Sequence, residues 1–134
     1  MPASLRITIV VNHFDTRCSL SKFLRSLGHL VDETRSAADG LRSLHASEPE
    51  TLICDIDLPD ASGWDVMRQA DLTSAVFAVA ISTWDEPADR ARSRTVGFKR
   101  HMQKPLVLND IESMLAEASA WRDLHGSVGA PPTH

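Results

Sequence analysis

Several things are scarce in this chain. Of its 134 residues only two are cysteine, Cys18 and Cys54, and no Cys-x-x-Cys occurs. Both stand in apolar patterns, so they read as small core residues in a reducing compartment rather than as a disulfide framework or a thiolate metal site. No apolar run approaches the roughly 18 residues of a membrane helix, and Met-Pro-Ala-Ser-Leu-Arg leads straight into a strand-like segment rather than a signal peptide. A cytoplasmic, unprocessed protein without a membrane partner is expected. Positive charge is also short, with 14 Lys and Arg against 18 Asp and Glu, for a formal net charge of −4. The basic residues are scattered apart from Arg90, Arg92 and Arg94, which argues against a dedicated nucleic-acid binder. Aromatic residues make up 5%, and no glycine-rich loop follows the first strand. A flavodoxin-like cofactor binder or an enzyme with a small-molecule substrate therefore finds little support.

What the chain does have is an alternation. Short β-type runs exchange with helical patterns about five times, the signature of a parallel sheet covered by helices on both faces. Strands are expected over Arg6–Val11, His29–Thr34, Thr51–Asp55, Val76–Ser82 and Phe98–Met102. The first, third and fourth are almost wholly apolar, as strands buried on both faces are, and belong at the centre. Helices are expected over Thr16–Leu27, with Asp15 as a cap and Gly28 as the stop, Ser36–Ala46, Gly63–Ala70 and Leu108–Ala120. In the last, Leu108, Ile111, Leu115 and Ala118 form the apolar stripe. Asp85-Glu86-Pro87 opens another helix with a capping acid and an early proline, but its inner face is thin and it should be the least stable. One domain is expected over residues 4–121. The segment 122–134 reads as a disordered tail, and with nothing else after the last helix any output is expected from the domain's own surface, above all the face made by the fourth helix, the fifth strand and the fifth helix.

Right-handed crossovers put the carboxyl ends of parallel strands on one edge, so Asn12, His13, Asp55, Ser82 and Lys104 can converge there. That set suits phosphoryl chemistry. A carboxylate can attack phosphorus, while a hydroxyl and an ammonium hold the phosphoryl oxygens, with Pro105 shaping the turn that carries the lysine.

VVNHFD, LICDIDLPDASG, AIST and FKRHMQKP, taken together with their spacing, resemble the receiver domain of bacterial two-component response regulators from about Leu5 to Ala118. The resemblance implies a flavodoxin-like, CheY-like α/β fold: a doubly wound five-stranded parallel sheet in the order 2-1-3-4-5 with five helices. It implies that Asp55 is the phosphoacceptor, Ser82 the hydroxyl that follows the phosphoryl group, Lys104 its ion-pair partner, and the bond before Pro105 cis. His101 falls at the aromatic switch position, Ser82 being the other switch residue. The family's metal site would use Asp55, the backbone carbonyl of Asp57 and two acids after the first strand. The partners implied are a histidine kinase or a phosphotransfer protein, and a homodimer through the first helix or the fourth-helix face. The role is signalling by association rather than catalysis.

The sequence departs from that pattern at the acidic pair, where Asn12 and His13 stand. Mg²⁺ prefers oxygen ligands and is held by a few carboxylates, so replacing both acids with an amide and an imidazole should leave it bound weakly if at all, and phosphotransfer slowed. Two readings of His13 stay open: a ligand for a transition ion such as Zn²⁺ or Mn²⁺, or an imidazolium offsetting Asp55. Two readings of the whole also stay open, an atypical phosphorelay receiver and a phosphorylation-independent pseudo-receiver that acts as an interaction module. Trp84 is either a partner-binding aromatic or a lid over the Asp55 pocket. Arg90, Arg92 and Arg94 read as a solvated helix face.

Overall fold

The computed structural model describes residues 4–84 and 86–125. Its elements run β1 (Arg6–Val10), α1 (Phe14–Ser26), β2 (Leu30–Thr34), α2 (Ala37–Ser47), β3 (Thr51–Asp55), α3 (Gly63–Ala70), β4 (Phe77–Ser82), α4 (Pro87–Thr95), β5 (Arg100–Gln103) and α5 (Leu108–His125). All strand pairs are parallel, in the order β2-β1-β3-β4-β5. The three strands expected at the centre are there. Because side chains alternate across a strand, their apolar residues split into two cores. Ile7, Ile9, Ile53, Val79 and Ile81 pack with Leu20 and Leu24 of α1 and Met114 and Leu115 of α5. Val10, Leu52, Cys54, Ala78 and Ala80 pack with Leu44 of α2 and Val66 of α3.

Most element ends fall one or two residues from expectation, β5 running Arg100–Gln103 rather than Phe98–Met102, and several elements are built differently from what was expected. The N-cap of α1 is His13 rather than Asp15, because the ring Nδ1 accepts the Thr16 N–H; Asp15 lies inside the first turn. At α4 the cap position is held by Glu86, which makes no side-chain capping bond, and Asp85 lies outside the described residues. The stripe of α5 uses Met114, fully buried, whereas Leu108 is exposed because it opens the helix. That helix also continues to His125, so residues 122–125 are helical; the expectation for 126–134 lies outside the described residues. Cys54 is buried in the core, but Cys18 only partly.

Two features aim the end of β3. The β3–α3 loop bends back so tightly that a Cβ on Gly63 would lie 2.6 Å from the Asp55 carbonyl oxygen, so only glycine fits there. In the same loop Asp60 accepts the N–H groups of Ala37 and Ala38 at 2.8 and 3.0 Å, tying the loop to the first turn of α2.

Candidate functional site

β3 delivers Asp55 to the carboxyl edge of the sheet, where it is 1% exposed. A buried carboxylate must be paired and hydrogen-bonded to be tolerated, and both its oxygens are committed. Oδ1 accepts the Asp57 N–H at 2.9 Å, and Oδ2 accepts from the Lys104 ammonium in an ion pair. Burial raises the Asp55 pKa above the usual carboxylate value, against the opposing pull of the Lys104 and Asp57 hydrogen bonds. Lys104 arrives on a cis Lys104–Pro105 peptide, and its N–H donates to the Ser82 carbonyl at 2.8 Å. Strand pairing places Ile81 beside Asp55, with Ser82 one residue further along. The buried Ser82 hydroxyl accepts the Trp84 N–H at 3.0 Å. Asp55, Ser82 and Lys104 thus meet as the sequence suggested.

Asn12 and His13 do not join them. Both are exposed. The Asn12 amide donates to the Arg35 carbonyl at 3.1 Å, toward α2. The His13 ring is turned onto its own helix, with Nδ1 accepting from Thr16 at 3.3 Å, so that nitrogen carries no proton and is not free for a metal. His13 thus serves as the N-cap of α1 through Nδ1. Arg17, which sequence reasoning missed, donates to the Val11 and Asn12 carbonyls at 3.0 and 2.9 Å. A guanidinium therefore holds the end of β1, where a divalent cation would need negative charge. Among the described residues no group of three or more His, Cys, Asp and Glu is placed to hold a metal ion. This donor set does not fit Mg²⁺.

On the other side of Ser82 lies a chain of polar contacts that no motif announced. Trp84 is exposed rather than packed as a lid. Its carbonyl lies 3.2 Å from His101 Nε2, whose Nδ1 lies 3.2 Å from the Ser93 hydroxyl, which in turn accepts the Trp64 indole N–H at 2.9 Å. Since a carbonyl only accepts, Nε2 is the donor to Trp84. His101 therefore bridges the β4–α4 loop and α4, with both ring nitrogens engaged. Ser93 is the buried residue of α4, and Arg92 stacks on the Trp64 ring 4.0 Å from its centroid rather than standing free in solvent.

Comparison with known proteins agrees with this geometry. The profile of the response regulator receiver domain matches residues 7–116. The protein PilH of Pseudomonas aeruginosa is 26% identical over 118 residues, spanning 83% of this chain and 98% of PilH. The probable transcriptional regulatory protein SilR of Salmonella typhimurium is 36% identical over 113 residues, spanning 80% of this chain but 47% of SilR. Among solved structures, a CheY-like receiver domain protein from Methanospirillum hungatei superposes with a TM-score of 0.85 at 20% identity, over 91% of this chain and 98% of that one. The chemotaxis response regulator CheY4 of Vibrio cholerae gives 0.80 at 16% identity, over 87% and 99%. At such identities the structural likeness speaks for the fold. No helix among the described residues is long and apolar enough to cross a membrane.

Proposed function

Because the chain belongs to the response regulator receiver domain family, we propose that it is an atypical receiver: Asp55 occupies the phosphoacceptor position, the divalent-metal site is lost or weak, and the output is association with a protein partner. The observation that carries this reading is the diversion of Asn12 and His13 to the Arg35 carbonyl and the α1 cap. Without the acidic pair, Asp55 and Lys104 rest as an ion pair, and among the described residues no group of three or more potential ligands is placed to hold a cation that would neutralise an incoming phosphoryl group. Partner binding then depends weakly on phosphorylation, or not at all.

A second reading, a slow but real phosphoacceptor, has an observation of its own. Asp55, Ser82 and Lys104 keep the arrangement in which a carboxylate oxygen attacks phosphorus. The P–N bond of a phosphohistidine on a kinase or phosphotransfer protein then breaks, and the departing imidazole takes a proton. Lys104 would follow the new phosphoryl oxygens, and the Ser82 hydroxyl would have to release the Trp84 N–H to join it. Incubation with acetyl phosphate and Mg²⁺, followed by intact-mass and peptide mass spectrometry, separates the two. The proposed function expects no phosphoryl adduct at Asp55, and modification at that residue, slow or rapid, would overturn it in favour of the second reading.

A further inference from the structure

β2 ends the sheet on one side. Along a strand the main-chain groups point alternately to one side and to the other. Leu30 donates its N–H to the Leu5 carbonyl at 3.0 Å, and the Thr34 carbonyl accepts the Val11 N–H at 3.0 Å. The even-numbered residues of β2 therefore face β1, and Val31 and Glu33 turn their N–H and C=O groups outward. An edge of this kind is a template for pairing with another chain.

Among the described residues one side chain reaches across it. Arg17, Ser21 and Arg25 recur every four residues on α1 and make a polar stripe toward β2. All three meet Glu33: the Ser21 hydroxyl donates to Oε2 at 2.9 Å, Arg25 Nη1 donates to the same oxygen at 2.7 Å, and Arg17 Nε lies 3.9 Å from Oε1. The second arm of Arg25, Nη2, donates to the outward Val31 carbonyl at 2.9 Å. One guanidinium thus spans both outward residues of the strand, as its planar fork allows and a lysine ammonium does not. The Arg25 side chain is 50% exposed, and an ion pair in that setting contributes little to stability. What it covers is the better account of its placement.

We propose that Arg25 and Asp32 guard the free edge of β2 against pairing with a second copy of this chain. Two copies related by a two-fold axis at Asp32 would pair antiparallel, with Val31 of one opposite Glu33 of the other and both N–H···O=C bonds exchanged. Arg25 already occupies the Val31 carbonyl that each of those exchanges needs. At the centre, the exposed Asp32 would face its own copy at about 4.5 Å between Cα atoms, a like-charge pair that opposes the contact. Leu30, 63% exposed, flanks the same edge, so apolar contact favours the pairing that the two polar residues block. The inference goes beyond the function proposed above and does not depend on Asp55.

The test is sedimentation velocity of the full chain over a concentration series, unphosphorylated and metal-free, combined with hydrogen exchange at the Val31 and Glu33 amides. R25A/D32S is expected to self-associate about tenfold more strongly than the wild type, from two freed carbonyls and one removed repulsion. Exchange at those two amides should slow as concentration rises. R42A, which removes an arginine paired with Asp39 on α2, should leave association unchanged. Association of R25A/D32S no stronger than that of the wild type overturns the proposal, as does stronger association without slowed exchange at Val31 and Glu33, or an equal gain in R42A. Should R25A/D32S lose its fold by circular dichroism, R25M/D32S, which keeps an aliphatic stem at position 25, carries the same comparison.

Discussion

Asp55 shows how one side chain can be both expected and costly. Its position was legible because an apolar strand runs into a carboxylate and then into Pro59 and Gly63. Its degree of burial was not, because that depends on β4, β5 and the returning β3–α3 loop. With the pKa raised by burial above 3.8, the ionised form lowers native stability above the raised value, and the cost vanishes as pH falls and the group protonates. D55N is therefore expected to raise the melting temperature at neutral pH, with an advantage that shrinks as pH falls through the raised value toward 3.8 and is gone below it; a thermal-unfolding series against pH checks this, and a pH-independent gain contradicts it. Removing the partner acts in the opposite sense. Side-chain exposure is 2% for Asp55 and 22% for Lys104, so K104A leaves a buried carboxylate without its ion pair. The loss should be about 1–3 kcal/mol in urea denaturation, below the full cost of breaking a buried pair because Lys104 is partly solvated.

At the scale of elements, the surprises are polar residues used where apolar ones or standard caps were sought. His13 is an uncommon N-cap, and Asp15 next to it looked better by composition, so only the backbone geometry shows which one caps α1. For α4 the expectation of a thin inner face was right, but a search for apolar periodicity has no means of finding a helix docked through a serine. Ser93 accepts from Trp64 and shares a hydrogen bond with His101. S93A would leave an indole N–H and an imidazole nitrogen without partners, a loss of about 1–3 kcal/mol, and hydrogen exchange should rise across Pro87–Thr95 ahead of the other helices. Unchanged exchange there would mean that other contacts hold α4. Asp60 illustrates the same blindness, since its capping of α2 spans the interval between two different helices. Its carboxyl is held below the ordinary value by the Ala37 and Ala38 N–H groups. The stabilisation is present above that ordinary value and lost as pH falls through the depressed one. D60A should therefore fray the α2 N-terminus at neutral pH but change little in strong acid, as amide exchange of residues 37–40 would report.

Across the whole molecule, the central strands and the edge carrying the chemistry were readable from nearly continuous apolar strands alternating with helices, and the strand order from the resemblance to receiver domains. The seam between the two chain ends was less so. His29 Nδ1 accepts the Leu5 N–H at 3.0 Å, and burial, with Arg122 adding to it, lowers the pKa of the ring below 6.5. Because the folded ring resists protonation, this contribution to stability is intact above pH 6.5 and is lost progressively as pH falls below it. H29Q, which keeps an acceptor but does not titrate, should flatten that part of the stability profile in denaturant titrations; an identical slope would assign the loss elsewhere.

The central claim concerns the other end of the sheet: a receiver pocket that keeps its carboxylate, hydroxyl and lysine while its metal ligands serve other structural roles. Calorimetric titration of Mg²⁺ into the wild-type protein and into N12D/H13D tests it most directly, since an aspartate at position 13 can still cap α1. The wild type should give only heat of dilution at millimolar Mg²⁺, and the double variant saturable binding. Saturable submillimolar binding by the wild type, or silence from both proteins, would contradict the account.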